Sequence, residues 1–281
     1  MPPATRPALP THPSKRYPAV GRCIYCGSAA GLTEEHIVPY ALGGRWVLPE
    51  SSCKACSKIT GKFEGQLCRT ILGPLRMLFN MPTRRPKERP RHLPLKVKYP
   101  TSTDWDIAYV HRDVCPFLIG LPLYPTPDAL TGQVTQENRT AATSQIWLRG
   151  GGFWNDRDKH LQWLCEMLGA VQVMPEAHIP VEPFCLTLLR IAHAFSVAEL
   201  GLNGFKPFLT EMIRERDLSN RAQVLGGGAG NERPGDVLHE VGFKLRKYSR
   251  QRLRCRFACC PFSELRPTRW RSDPAWPNPA H

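Results

Sequence analysis

Four cysteines fall into two pairs, Cys23 and Cys26 in "CIYC" and Cys53 and Cys56 in "CKAC", with the spacing C-x2-C-x26-C-x2-C. Each C-x2-C turn lets two thiolates reach one ion, and two such turns supply the tetrahedral four-sulfur shell that zinc prefers. A closed shell of this kind has no open coordination position, so it holds a fold together rather than doing chemistry. Between the pairs lies "LTEEHIVPYALGG", where His36 directly follows Glu34 and Glu35. An imidazole with a reference pKa of about 6.5 can take a proton from water near neutral pH. Carboxylates, for their part, suit hard divalent ions.

The elements that must position these groups are short. "LTEEHIVPYALGGRWVL" predicts a strand, a turn at Gly43-Gly44 and a second strand, and "SKITGKFEGQLCR" after Cys56 predicts a helix. The unit is then a β-hairpin followed by a helix, pinned at its base by zinc, with His36 at the end of the first strand facing the N-terminal half of the helix. Glu35 and His36 are consecutive, so in a regular strand their side chains point to opposite faces. Both can serve one site if the strand ends or twists there, as Pro39 allows; if it does not, Glu34, on the same face as His36, is the better ligand.

These residues resemble the HNH nuclease family, in particular its zinc-stapled members, with "EHIVP", "LGG" and "CKACS" in the family's order and at its distances. The resemblance covers roughly residues 22–65. It implies a ββα-metal fold and hydrolysis of phosphodiester bonds with one divalent ion, Mg²⁺ or Mn²⁺, beside the structural Zn²⁺. In those terms His36 is the general base and Glu35 a ligand of the catalytic ion, which stabilises the leaving oxygen and the pentavalent phosphate. The family usually places Asn or His after the last cysteine, where this chain has Ser57. Glu64, two helical turns further along the same face, can supply an oxygen in its place.

The remainder of the chain frames this unit. Net charge is +14, and Lys and Arg outnumber Asp and Glu by 17 to 5 over residues 1–100 and by 10 to 2 over residues 242–281, while residues 101–241 carry 11 against 17. Positive charge at both ends is the electrostatic footprint of a polyanion binder. Arg45, Lys54, Lys58 and Lys62 lie around the expected site and can contact phosphates on either side of the scissile bond. The expected class is α+β: a disordered N-terminal arm (1–20), the ββα zinc module (21–80) and a basic proline-rich linker (81–94). A mixed α+β domain (95–253) and an irregular basic tail (254–281) follow.

Within the large domain, strands are predicted at "DIAYVH" and "SQIWL" and helices at Leu161–Ala170 and Pro183–Leu200, with a further helix over "GFKPFLTEMIRE". The second of these helices is apolar on most faces and is expected to be central to the core. Cys68, Cys115, Cys165 and Cys185 sit among apolar neighbours as small core residues, and His193 in the apolar helix is expected to be a satisfied core histidine.

No run of eighteen apolar residues appears, and the proline-broken N-terminus lacks the apolar core of a secretory signal, so the expected location is cytoplasmic and no membrane partner is expected. An odd count of eleven cysteines fits reduced thiols. The expected partner is DNA, or RNA. Two functions compete: a metal-dependent HNH-type endonuclease, and a catalytically impaired zinc-stabilised nucleic-acid-binding protein. Cleavage of supercoiled plasmid separates them.

Overall fold

A computed structural model describes residues 13–70, 72–124, 127, 145–151, 157–175, 181–226, 239–245 and 251–257. Residues 1–12 of the expected arm and 258–281 of the expected tail lie outside the described residues. The class is α+β, built from small sheets and helices.

The candidate zinc unit begins with β1 (Lys15–Arg16), which pairs in parallel with β3 (Trp46–Cys53); β3 also pairs antiparallel with β2 (Leu32–His36). Between β2 and β3 a single 3-10 turn covers Tyr40–Leu42, and Gly43 ends it in the left-handed region at φ 84°. The helix α1 (Lys54–Arg69) follows β3 without a loop. Cys53 is its N-cap, extended at ψ 159°, and its sulfur accepts the Cys56 N–H, satisfying one of the donors a helix start leaves open. Cys56, Thr60, Phe63 and Leu67 recur at helical spacing and form the buried stripe of α1. Gly73-Pro74 starts a separate short helix, α2 (Gly73–Leu78), because proline fits a first turn but not a helix interior.

Residues 13–20, expected in a disordered arm, instead dock. Tyr17 is buried and donates to Glu199 at 2.5 Å, and Lys15 pairs with the same carboxylate at 3.1 Å. The linker expected at 81–94 is also tied down: Arg76 donates to the carbonyl of Pro82, Arg89 contacts Asn80 and the carbonyl of Met81, and the strand β4 (His92–Lys98) starts within the expected span.

β4 is the centre of a second sheet, ordered β5-β4-β8, with β5 at Asp106–His111 and β8 at Gln172–Pro175. β6 (Phe117–Leu123) and β7 (Gln145–Gly151) form an antiparallel pair, as do β9 (His239–Leu245) and β10 (Gln251–Phe257). Residues 254–257, expected in the irregular tail, are therefore strand. The helices are α3 (Arg157–Leu168), α4 (Val181–Leu200), α5 (Thr210–Glu215) and α6 (Arg221–Val224). The helix expected over "GFKPFLTEMIRE" is confined to α5.

The two hydrophobic cores divide the chain differently from the expected domains. One joins residues of the zinc unit (Ile37, Leu48, Phe63, Leu67) to α4 and α5 (Leu186, Ile191, Ala194, Ile213). The other, built on Leu95, Val97, Val110, Cys115, Leu164 and Val173, belongs to the β5-β4-β8 sheet and α3. The apolar helix α4 thus packs against α1 and shares the core of the zinc unit. It is long and apolar enough to cross a membrane by composition, but 67% of its most apolar stretch is buried inside the protein.

Candidate functional site

The four thiols at the base of the unit come together as their spacing requires. All four Sγ atoms lie within 4.8 Å of one another, and Cys26 and Cys53 are 3.7 Å apart. Zinc–sulfur bonds of about 2.3 Å in a tetrahedron put sulfurs about 3.8 Å apart, so the cluster fits a zinc ion. The Cys56 N–H held by Cys53 lowers the Cys53 thiol to about 7, toward the thiolate that a metal needs. Burial pushes Cys23 and Cys56 the other way, so the ion offsets the cost of placing their charge in the core.

The hairpin is set by two constraints. The register shifts between Thr33↔Ser52 and Glu35↔Leu48, so β3 bulges around Glu50, which sits at φ 47°. At the other end, a Cβ at Gly44 would lie 1.9 Å from the Val38 carbonyl oxygen, so only glycine permits this close return of the chain.

His36 ends β2, half-buried, with its ring 5.4 Å from that of Tyr40. Its Nδ1 is buried without a well-formed hydrogen bond among the described residues. Burial lowers its pKa below the ordinary 6.5, and the charges of Arg84 and Arg190 act in the same direction, against Glu34 and the Gly44 carbonyl. The imidazole is therefore neutral and proton-accepting at neutral pH.

β2 keeps the strand alternation through its last residues. Glu34 is exposed and pairs with Arg16 at 3.1 Å, whereas Glu35 is 5% exposed and turned into the core. There it meets Arg190 of α4, itself buried. Arg190 Nε donates to Glu35 Oε1 at 2.7 Å, Nη2 lies 2.5 Å from the same oxygen, and Tyr25 Oη donates to it at 3.0 Å. Nη1 donates to the Ile37 carbonyl at 2.9 Å and Nη2 to the His36 carbonyl. Arg190 Nε also lies 2.5 Å from Glu64 Oε1, but its hydrogen is given to Glu35, so that Glu64 oxygen has a charge contact without a hydrogen bond. Burial alone would lower the Arg190 pKa; the charges of Glu35 and Glu64 outweigh it and hold it above its ordinary value.

This arrangement departs from the expected ligand set. Glu35 and Glu64, expected to hold the catalytic divalent ion, are committed to a buried guanidinium that keeps its charge at any working pH. The donor set at these two residues consequently does not fit a divalent cation. Ser57 lies half-buried on the first turn of α1, where its carbonyl accepts from Thr60 Oγ1 at 3.3 Å.

Of the expected phosphate-contacting residues, Arg45, Lys54, Lys58 and Lys62 are all exposed. The structure gathers a different basic group: Arg69, Arg76, Arg84, Arg85 and Arg89 line one cleft between α1, α2 and the segment before β4. Arg76 is fixed there by the carbonyls of Ala41, Cys68 and Pro82, so no carboxylate offsets its charge in those bonds. Arg84, one of these five, is also among the charges that lower the pKa of His36 and of Glu64.

Arg190 and Arg84 carry the site's positive charge, and neither follows from the local motif. The signal for Arg190 is present in the sequence as one charged residue within the apolar run "LTLLRIAHAF", because a buried charge in such a helix needs an acidic partner elsewhere.

Residues 23–70 match the family described as HNH endonuclease. The match spans the two cysteine pairs, the hairpin and α1, and ends one residue beyond that helix. No curated protein and no solved structure matches the chain.

Proposed function

We propose that this chain, whose residues 23–70 form a domain of the HNH endonuclease family, hydrolyses phosphodiester bonds in DNA with His36 as the general base. The observation that carries the reading is a half-buried imidazole, neutral at neutral pH, at the end of β2 within the family-matched segment, on a protein that also lines one cleft with five arginines. A phosphate bound in that cleft meets fixed positive charge, which favours the additional negative charge of a pentavalent phosphate. His36 takes the proton of the attacking water, and the zinc staple and Arg190 hold its backbone in place. Arg45, Lys54, Lys58 and Lys62 extend the basic surface along the nucleic acid.

A second reading, a nucleic-acid-binding protein without hydrolysis, is favoured by one specific observation: Arg190 occupies the two carboxylates that a catalytic Mg²⁺ or Mn²⁺ would use. Supercoiled plasmid incubated with Mg²⁺, with Mn²⁺ and with chelator separates the two. Cleavage that His36→Ala abolishes supports the enzyme. Salt-dependent binding with no cleavage under any of the three conditions identifies the binding protein. The same assay on RNA decides between the two substrates.

A further inference from the structure

We infer that Arg190 is a resident cation built into an oxygen cage that would otherwise suit a divalent ion, so that Glu35 and Glu64 bind neither Mg²⁺ nor Mn²⁺ in this protein. The cage consists of two carboxylates and two backbone carbonyls: Glu35, Glu64, and the oxygens of His36 and Ile37. Hard divalent ions take such oxygen donors. Here the planar guanidinium takes them. Its Nε donates to Glu35 at 2.7 Å and its Nη1 to Ile37 at 2.9 Å. Its Nη2 bonds the His36 carbonyl, and the Nε–Glu64 contact of 2.5 Å completes the set.

Three features make this occupation permanent rather than one rotamer among several. Arginine does not lose its proton in proteins, so pH does not vacate the cage. Its helix neighbours Leu186, Leu189, Ile191 and Ala194 are all buried, so the charged head has no route to water along α4. An entering ion would have to drive an unpaired guanidinium into that apolar core, where an uncompensated charge is strongly unfavourable. Glu35 Oε1 is moreover already served by Tyr25 as well as by two nitrogens of Arg190.

The charge is supplied from a point 155 residues along the chain from Glu35. The ββα unit therefore carries the carboxylates while α4 carries their counter-ion. Arg190 is a positioning residue: it reaches the His36 main chain, not the reacting atoms. The inference concerns cation binding and goes beyond the nuclease reading, since it holds whether His36 cleaves DNA or only lies beside it.

The experiment is a Mn²⁺ titration of the full-length, zinc-loaded protein, followed by the electron paramagnetic resonance of free Mn²⁺. Mn²⁺ prefers oxygen ligands and leaves the thiolates to zinc. The wild-type protein is expected to bind no Mn²⁺ that Glu64→Gln removes. Arg190→Ala, which opens the cage and leaves both carboxylates, is expected to gain a site at least about tenfold tighter than anything in the wild type. That gain should vanish in Arg190→Ala/Glu64→Gln, whereas Arg190→Lys, which keeps a cation, should remain without it. Wild-type binding that Glu64→Gln abolishes overturns the inference, and so does a folded Arg190→Ala that gains nothing. If Arg190→Ala does not fold, the wild-type and Glu64→Gln titrations still decide whether the cage takes an ion. Cleavage does not enter this readout, so its outcome is separate from that of the plasmid assay.

Discussion

His193 Nε2 lies 2.8 Å from the carbonyl oxygen of Ile24, joining the middle of the long apolar helix to the turn between Cys23 and Cys26. The ring also packs on Tyr25 at 5.7 Å and Phe205 at 5.8 Å. Burial lowers its pKa, so it serves as a neutral donor with its proton on Nε2. His193→Phe keeps the ring packing and leaves the Ile24 carbonyl unpaired in the core. The expected cost is about 1–3 kcal/mol of unfolding free energy, the penalty for a buried polar group without its partner. Urea unfolding at neutral pH with an unchanged m-value measures it; a loss well below that range would remove this bond from the set that holds α4 in place.

One guanidinium faces two carboxylates, and the hydrogen on Nε goes to Glu35, so Glu64 carries the deficit. Burial raises its pKa to about 7, with Arg190 pulling it down and Glu35 pushing it up. The folded pKa thus lies above the ordinary carboxylate value, and the folded state binds more protons than the unfolded one between about pH 4.5 and 7. The associated stability is fully present below pH 4.5 and is lost as pH rises through 7. Glu64→Gln, which is neutral at every pH, should therefore gain on the wild type as pH rises from 5 to 8. Parallel curves of urea midpoint against pH for the two proteins would sink this assignment.

The His36 imidazole should titrate below 6.5, and its neighbours should move it in opposite directions. Arg84→Ala removes a positive charge and should raise its pKa, while Glu34→Gln removes a negative one and should lower it. Both residues are exposed, so each shift is expected to be a fraction of a unit, reduced further by salt. The Cε1 proton resonance of His36, followed against pH by NMR, gives both values directly. Shifts of the same sign in the two variants would rule out this electrostatic account.

What the sequence made legible here was local. The paired cysteine spacing, the Gly-Gly return and the helix after Cys56 are each set by residues close in sequence, and all appear where periodicity and turn chemistry put them. The alternation rule was also legible in its conditional form: with the strand regular through His36, Glu35 turns inward and Glu34 keeps the outer face. Arg190 was not, because its partners lie on two other elements more than a hundred residues away, and only packing brings a lone charge in an apolar helix to them. The extent of the core was hidden for the same reason: composition changes near residue 81, but the core beneath does not end there, since Phe63 and Leu67 of α1 share it with Leu186 and Ile191 of α4. The expected helix over "GFKPFLTEMIRE" begins only at Thr210, beyond Pro207, whose ring disfavours the helical conformation of the residue before it.

Because Cys23, Cys53 and Cys56 sit in the same core as α4, loss of zinc should reach beyond the knuckle. Without the ion, three buried thiols lose the centre that compensates their charge, and the turn carrying the Ile24 carbonyl loses its anchor. Structural zinc sites contribute on the order of 10 kcal/mol of folding free energy. Chelation is therefore expected to unfold the ββα unit together with α4 in one transition, while the separate core on Leu95, Val97 and Leu164 keeps its protection. Amide hydrogen exchange before and after chelation tests this directly: α1 and α4 should lose protection in parallel, and β4 should not. Retained protection in α4 would mean that the helix is held by contacts other than those it makes with the zinc unit.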